Sequence, residues 1–246
     1  MIKYNKVPSL SVNKSQTYIL CRIKFNRLFF APVGRIVASL TVLIFSHNVV
    51  AKTLILLDKA GTPVVDAVVA IPTISDTEKV PQKIAVMDQI NKQFLPRVLT
   101  ITQGQQVAFP NSDDIRHHVY SFSATKPFEI KLFKGSVTTP ILFDKAGIVV
   151  LGCNIHDQMV GYIYVAHNEQ TFISNEQGEV VLPDSAKVIH VWHANLSPQN
   201  TKRESIDIEQ LPSTNGLVQL NLNMLLPQQN NEQGQPSTYK FKKKFN

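Results

Sequence analysis

Cysteine is almost absent from this sequence. Among 246 residues there are two, Cys21 and Cys153. Cys21 lies in an N-terminal segment that we expect to be removed, so the mature protein would have one cysteine and no internal disulfide. A free thiol is liable to oxidation or mispairing in an oxidising compartment. Cys153 is therefore expected either to be buried and inert or to bind a metal.

Acidic residues are missing from the first 51 residues, which carry seven lysines and arginines. The whole chain has 25 Lys and Arg against 18 Asp and Glu, a net charge of +7. Because all the acidic residues follow residue 51, the rest of the chain is formally neutral. The basic charge belongs to the N-terminal segment, and it gives no reason to expect a nucleic-acid partner.

No apolar run is long enough to span a bilayer, for which about 20 residues are needed. The run at residues 36–45 follows a basic stretch ending at Arg35. It precedes Val49-Val50-Ala51, which places small or modest residues at the −3 and −1 positions of a signal-peptidase site. We therefore predict a signal peptide over residues 1–51, export to the periplasm, and no membrane span after cleavage. An uncleaved anchor is the alternative.

Helical periodicity is also scarce, and short runs of alternating or β-branched residues recur instead. Residues 128–133 and 218–224 alternate almost strictly between apolar and polar side chains, as half-buried strands do. Many short strands with turns at roughly 8–12-residue spacing predict an all-β sandwich or barrel. The predicted strands cover residues 53–57, 64–71, 83–88, 105–111, 117–123, 128–133, 141–143, 148–153, 161–166, 179–182, 187–192 and 217–224.

The C-terminal segment has a different composition. Residues 227–238 are rich in Gln, Asn and Pro, and cannot supply a core, so we expect them to be disordered. Residues 239–246 are basic and aromatic. This tip is interpreted as a solubilising tail, with contact to an anionic membrane or an acidic partner as the alternative.

Residues 151–161 contain the clearest chemical signal. Cys153, His156 and Met159 follow a C-x2-H-x2-M spacing, in a predicted loop between apolar strands at residues 148–151 and 162–165. One tight loop could therefore aim a thiolate, an imidazole and a thioether inward. Two histidines, one cysteine and a weak axial methionine form the ligand set of blue-copper electron-transfer sites. The pair His117-His118, on an earlier predicted strand, offers the second histidine.

Simpler explanations exist for each residue taken alone. A single buried cysteine usually acts as a small hydrophobe, and a single methionine usually fills a core. Zinc sites prefer several cysteines or three histidines and seldom use methionine. A Cys–His nucleophile is less favoured, because no glycine-rich or oxyanion-hole signal surrounds the pair. The joint spacing of these residues favours a metal site.

Two stretches, residues 104–119 and 143–161, resemble the cupredoxins. The first contains a G-x-x-V-x-F-x-N strand that leads from Asn111 to His117, and the second contains the C-x2-H-x2-M loop. The spacing of the C-x2-H-x2-M loop is similar to that of amicyanin and pseudoazurin. The amino-acid sequences of both motifs are similar to those of the methylamine-utilisation-protein-like group. The resemblance covers about residues 83–166. It implies a Greek-key β-sandwich that binds one copper per chain through His117, Cys153, His156 and Met159.

Two positions depart from the pattern of that family. His118 stands where the family usually has Asn, and Ile155 stands where it often has Pro. Unlike proline, Ile155 has a backbone N–H, which could donate to the Cys153 thiolate. Together with Asn111 and Asn154, these residues are expected to surround the ligands and tune the reduction potential. Because strand alternation puts His117 and His118 on opposite faces, only one of them can point inward.

The flanking segments predict a second β-domain. Residues 53–69 have the pattern of a strand, a Gly-Thr-Pro turn and a second strand, and we expect residues 172–182 and 187–193 to continue the same domain. These segments are similar to carboxypeptidase-regulatory or transthyretin-like sandwiches, with the cupredoxin domain inserted between their strands. The alternative is an N-terminal hairpin that extends the cupredoxin itself. The expected division is signal peptide 1–51, accessory β-domain 52–76 and 167–226, copper domain 77–166, and basic tail 227–246.

The function expected from this resemblance is that of a periplasmic, non-enzymatic, single-copper carrier of one electron. Its partners would be a periplasmic cytochrome or dehydrogenase, met through a small and weak interface. The alternatives are a copper-binding or storage protein and a structural envelope protein, since a fold does not by itself imply a function.

Overall fold

The computed structural model describes residues 51–74, 83–135 and 139–225, and it confirms the all-β prediction. Within these ranges the regular elements are strands, apart from two single turns of 3-10 helix at Ala194–Leu196 and Ile208–Gln210. No helix in the described ranges is both long and apolar enough to cross a membrane. The strands are β1 (Ala51–Asp58), β2 (Val68–Pro72), β3 (Ala85–Val86), β4 (Asp88–Ile90), β5 (Gln93–Leu95), β6 (Val98–Thr102), β7 (Gln106–Ala108), β8 (His117–Ser121), β9 (Phe128–Phe133), β10 (Ile141–Leu142), β11 (Gly147–Cys153), β12 (His156–Ala166), β13 (Glu169–Ile173), β14 (Glu179–Pro183), β15 (Val188–Trp192), β16 (Arg203–Asp207), β17 (Ser213–Thr214) and β18 (Leu217–Leu222).

Strands β3 to β12 form one sandwich, called here the central sandwich. Its larger sheet has the order β6-β12-β11-β8-β9, and its smaller sheet has the order β10-β7-β3. The chain passes from β9 in one sheet to β10 in the other and returns as β11 beside β8, which is a Greek-key connection. The hairpin β4–β5 adds a two-stranded sheet. Large apolar side chains, among them Phe109, Phe143 and Ile163, fill the core.

The remaining strands form a second sandwich, called here the split sandwich because β1 and β2 precede the central sandwich and β13 to β18 follow it. One sheet has the order β14-β1-β18-β17, and the other has the order β13-β2-β15-β16. Strand β1 pairs with β14 and β18, and β2 pairs with β13 and β15. The predicted accessory sandwich built from flanking segments is therefore confirmed, and the alternative of a hairpin extending the cupredoxin is wrong.

Several expected boundaries fall on residues that the structure does not describe. These are the signal peptide apart from Ala51, the division between residues 76 and 77, and the tail at 227–246. The expected division after residue 166 falls between β12, which ends at Ala166, and β13, which begins at Glu169.

Strand β12 is buried on both faces. Ile163 and Val165 belong to the core of the central sandwich, whereas Tyr162 and Tyr164 point to the opposite face and pack against Trp192 of β15. The ring centroids of Tyr162 and Tyr164 lie 5.4 Å and 6.4 Å from that of Trp192. Strands buried on both faces have nearly continuous apolar sequences, as residues 161–166 do. The two sandwiches thus share an apolar contact through this strand.

Candidate metal centre

Three strand ends bring the histidines and the cysteine together. Cys153 ends β11, His156 begins β12, and His117 begins β8, which lies beside β11. The β11–β12 register is regular as far as Gly152 and then shifts, so that Cys153 faces His156. A register shift of this kind re-aims side chains at the end of a ladder. The predicted loop over residues 151–161 is therefore wrong in extent, because only Asn154 and Ile155 form the turn.

The donor atoms of these residues form a compact group. The Sγ atom of Cys153 lies 3.8 Å from Nδ1 of His117 and 3.6 Å from Nδ1 of His156. All three ligand atoms lie within 4.8 Å of one another. Among the residues that the structure describes, this is the one group of three or more His, Cys, Asp or Glu side chains placed to hold a metal. His117 and Cys153 are buried, and His156 is partly exposed.

Met159 lies in the same buried apolar cluster as Cys153 and is 1% exposed. It follows His156 on β12, and two residues further along this strand Phe94 of the β4–β5 hairpin packs onto Gly161. A Cβ atom at Gly161 would lie 2.8 Å from Cβ of Phe94, so glycine is needed for this close packing. The assignment of Met159 as an axial ligand stays a prediction.

The two adjacent histidines occupy different environments. His117 is fully buried beside Cys153, whereas His118 is outside the donor group. Nε2 of His118 lies 2.9 Å from Oε1 of Glu129, and its ring packs 5.7 Å from that of Tyr120. The two side chains therefore point to opposite faces of β8, as strand alternation predicts.

Asp113 is a residue of the site that the sequence analysis missed. Its Oδ2 atom lies 2.7 Å from Nε2 of His117, the ring nitrogen that faces away from Cys153. The backbone N–H groups of Asn91 and Lys92 donate to the same carboxylate at 2.6 Å and 2.8 Å. Both residues have a positive φ, 54° and 59°, which is what turns their N–H groups toward Asp113. Histidines that bind metals commonly donate their second N–H to such a carboxylate, which fixes the tautomer and the ring orientation.

The residues expected around the ligands differ in burial and in hydrogen bonding. Asn111 is buried, and its Nδ2 donates to the carbonyls of Ile115 and Phe133 at 2.9 Å and 2.8 Å, which braces the segment before His117. Asn154 and Ile155 are exposed in the turn. In the described part of the chain, no hydrogen bond joins the Ile155 N–H to Sγ of Cys153, in contrast to the expected donation.

Local electrostatics favour the protonation states that a metal needs. Burial, with the neighbouring His117 and Lys92, lowers the pKa of His156 below its ordinary value, and Asp113 only partly opposes this. Burial alone would raise the pKa of the Asp113 carboxyl, but the N–H groups of Lys92 and Asn91 and the His117 ring together lower it. His156 is therefore a neutral imidazole at neutral pH, and Asp113 is a carboxylate. Metal ligation requires a neutral imidazole.

Tyr120 covers the strand next to the cysteine. Its ring lies against Gly152, where a Cβ atom would come within 2.8 Å of the phenol carbon and oxygen. Burial raises the pKa of Tyr120, and the negative charges of Cys153 and Asp157 add to this effect. Glycine at position 152 thus lets an aromatic ring shield the backbone next to Cys153.

Several solved structures are similar to part of this chain. A copper-containing nitrite reductase from Thermus scotoductus is 25% identical with a TM-score of 0.33, over 39% of this chain and 25% of the reductase. A purple cupredoxin from Nitrosopumilus maritimus is 21% identical with a TM-score of 0.31, over 33% of this chain and 99% of that one. Amicyanin from Paracoccus versutus is 22% identical with a TM-score of 0.30, over 39% and 97% of the two chains. The match thus spans about a quarter of the nitrite reductase.

No family model matches the chain. No curated protein matches it either. The central sandwich, with sheets of five and three strands joined by a Greek-key connection, is the all-β sandwich that the sequence analysis predicts. The donor group lies at one end of this sandwich, where β8, β11 and β12 begin or end.

Proposed function

We propose that this protein is a periplasmic electron carrier that binds one copper ion through His117, Cys153, His156 and Met159. The observation that carries the proposal is the buried group of two imidazole nitrogens and one thiol sulfur within 4.8 Å of one another. No other described group offers this chemistry, and each of its members comes from the end of a strand.

The donor set fits copper better than zinc. A thiolate with two imidazoles and a nearby thioether is the set that favours copper and allows Cu(I) as well as Cu(II). Structural zinc sites take four ligands, most often with two or more cysteines, and seldom use methionine. Copper held here would supply a one-electron Cu(II)/Cu(I) couple.

The residues of this chain prepare the site in three ways. Burial of His117 and Cys153 keeps water and substrates away from the sulfur. Asp113 holds the His117 ring with Nδ1 facing the cysteine. The strand ends of β11 and β12 fix Cys153 opposite His156. Because the protein holds these ligands in place, the site should rearrange little when the copper gains or loses an electron. A site closed to substrates also favours an electron carrier over an enzyme.

The exposed edge of His156 is the place where we propose that electrons enter and leave. His156 is partly exposed, and the neighbouring Ile155 and Val160 are exposed apolar residues. This small surface suits a weak and transient encounter with a redox protein. We propose a periplasmic cytochrome or dehydrogenase as the partner, because residues 1–51 have the composition expected of a signal peptide for export. The methylamine-utilisation-protein-like type is the subgroup we favour, from the motifs at residues 104–119 and 143–161.

The direct test is copper stoichiometry and colour in the purified mature protein. We expect one copper per chain and an intense visible thiolate-to-copper band, and Cys153→Ser should abolish the band because it removes the charge-transfer donor. Stopped-flow mixing of the Cu(II) protein with a reduced c-type cytochrome should bleach the band in wild type. Retention of the band in Cys153→Ser, or binding of zinc with no coloured copper form, would contradict the copper site. A coloured protein that exchanges no electron with any cytochrome or dehydrogenase would instead support copper storage.

A further inference from the structure

A second candidate site lies where the two sandwiches meet, far from the cysteine. A cleft of about 360 Å³ is lined by Thr125, Ala146 and Ile148 of the central sandwich and by Glu169, Thr201 and Arg203 of the split sandwich. Clefts of this size at the junction of two domains commonly hold small molecules. Ile148 lies five residues before Cys153 on β11, which corresponds to about 17 Å along a strand. The cleft is therefore separate from the metal centre.

Glu169 is the buried anchor of this cleft. It is 7% exposed, and its carboxylate has several donors. Oε2 accepts from the Tyr164 hydroxyl at 2.8 Å, Nδ1 of His190 lies 2.7 Å from Oε1, and Nη1 of Arg203 donates to both oxygens at 3.0 Å and 3.1 Å. These donors neutralise the carboxylate and leave it little capacity to accept from a ligand. Its role is to hold Arg203.

The guanidinium of Arg203 is fixed in place, but only part of its hydrogen-bonding capacity is satisfied. Its Nη1 atom also donates to the Tyr164 hydroxyl at 2.8 Å, and its guanidinium lies 5.9 Å over the Tyr164 ring. A guanidinium has five N–H donors, of which Nη1 carries two. The three N–H groups on Nε and Nη2 make no hydrogen bond with any described residue, and the side chain is 43% exposed. The unused edge of the fork is thus free to bind a ligand.

Other donors around the cleft are also unused. The hydroxyls of Thr125 and Thr201 and the ring of His167 make no side-chain hydrogen bond within the described part of the chain. These groups can donate as well as accept, so together with the unused N–H groups of Arg203 the cleft offers several donors to an anion. Ala146, Ile148 and the threonine methyl groups give it an apolar floor.

We propose that this cleft binds a small monocarboxylate, with the ligand's two oxygens on Nε and Nη2 of Arg203. The planar fork of arginine matches a planar carboxylate through two parallel N–H···O bonds. The apolar floor suits a short hydrocarbon or aryl body. Glu169 lies on the opposite edge of the same guanidinium and already offsets part of its charge, so the remaining edge suits a monoanion better than a doubly charged anion such as hydrogen phosphate.

The test is calorimetric titration of the full mature protein with acetate, benzoate and inorganic phosphate. Benzoate and acetate should bind saturably, and phosphate should bind at least tenfold more weakly than benzoate. Arg203→Lys keeps the charge but removes the fork, and should weaken benzoate binding at least tenfold. Lys202→Gln, at the exposed neighbouring cation, is the matched control and should bind benzoate as wild type does.

A second variant keeps the proposal testable if Arg203→Lys does not fold. Thr125→Val removes one unused hydroxyl without touching the Glu169 network, and should weaken benzoate several-fold. Absence of saturable carboxylate binding would overturn the proposal, as would benzoate binding that Arg203→Lys and Thr125→Val leave unchanged. Binding of phosphate as tightly as benzoate would show that the fork does not select a planar monoanion. Each titration can be run without metal, so its failure is distinct from failure of the copper proposal.

Discussion

Replacing His117 and His118 one at a time tests which of the two histidines binds the proposed copper. His117→Ala should lower copper affinity more than about 100-fold, because losing even a hydrogen-bond partner behind a ligand costs roughly 10–100-fold. His118→Ala should keep one copper per chain and the visible band. Its contact with Glu129 is near the surface, and such pairs contribute about 0–1 kcal/mol.

The stability of the two metal-free variants provides the control. Removing the His117 ring deprives Asp113 of one partner, at a cost of about 1–3 kcal/mol. The carboxylate keeps the N–H groups of Asn91 and Lys92, so the variant should still fold. Urea unfolding of the metal-free proteins measures this difference, and copper titration followed by visible absorption measures affinity. If His118→Ala lost the band while His117→Ala kept it, the assignment of the inward histidine would be wrong.

Three further predictions test the surroundings of the site and the second sandwich. Asp113→Asn should weaken copper binding roughly 10–100-fold in a competition titration, since it loosens the His117 ring, whereas Asp114→Asn at an exposed position should not. Met159→Leu should keep coloured copper but raise the reduction potential, because losing a weak axial donor disfavours Cu(II), and a lower potential by voltammetry would refute the axial role. Burial lowers the pKa of His193 to about 4, so between this pH and the ordinary histidine pKa of about 6.5 the unfolded chain binds a proton that the folded chain does not. Stability should therefore rise with pH between about 4 and 6.5, by about 3 kcal/mol from this group, and His193→Gln should flatten that part of a urea-unfolding profile.

The sequence was sufficient for the parts of the fold that rest on local pattern. Strand β9 was predicted at its observed bounds because apolar and polar residues alternate along it. The donor group was predicted from the spacing of Cys153 and His156 and from an earlier histidine pair. The face of His117 followed from strand alternation together with the resemblance to cupredoxins.

The parts that the sequence did not reveal depend on pairing between distant segments. Strand β12 begins at His156, five residues before the predicted strand at 161–166, because Val160 pairs with Gly152 and, across a register shift, His156 pairs with Cys153. The sequence analysis did not predict strand β6, which forms by parallel pairing with β12, some sixty residues further along the chain. Asp113 stands four residues before His117, but the N–H groups of Asn91 and Lys92 that hold its carboxylate lie some twenty residues away in the chain. Nothing in the local sequence marks such a contact.

The interleaved connectivity of the split sandwich has a consequence for the order of folding. Strand β1 ends as the parallel neighbour of β18, and Thr53 pairs with Leu217, so this sheet cannot close until nearly all of the described chain is present. The central sandwich is contiguous and needs no such long-range closure. Contacts distant in sequence form slowly, and domains generally fold as units. A newly made chain should therefore complete its central sandwich while β1 and β2 are still unpaired apolar segments, and it should be most open to proteolysis in that interval.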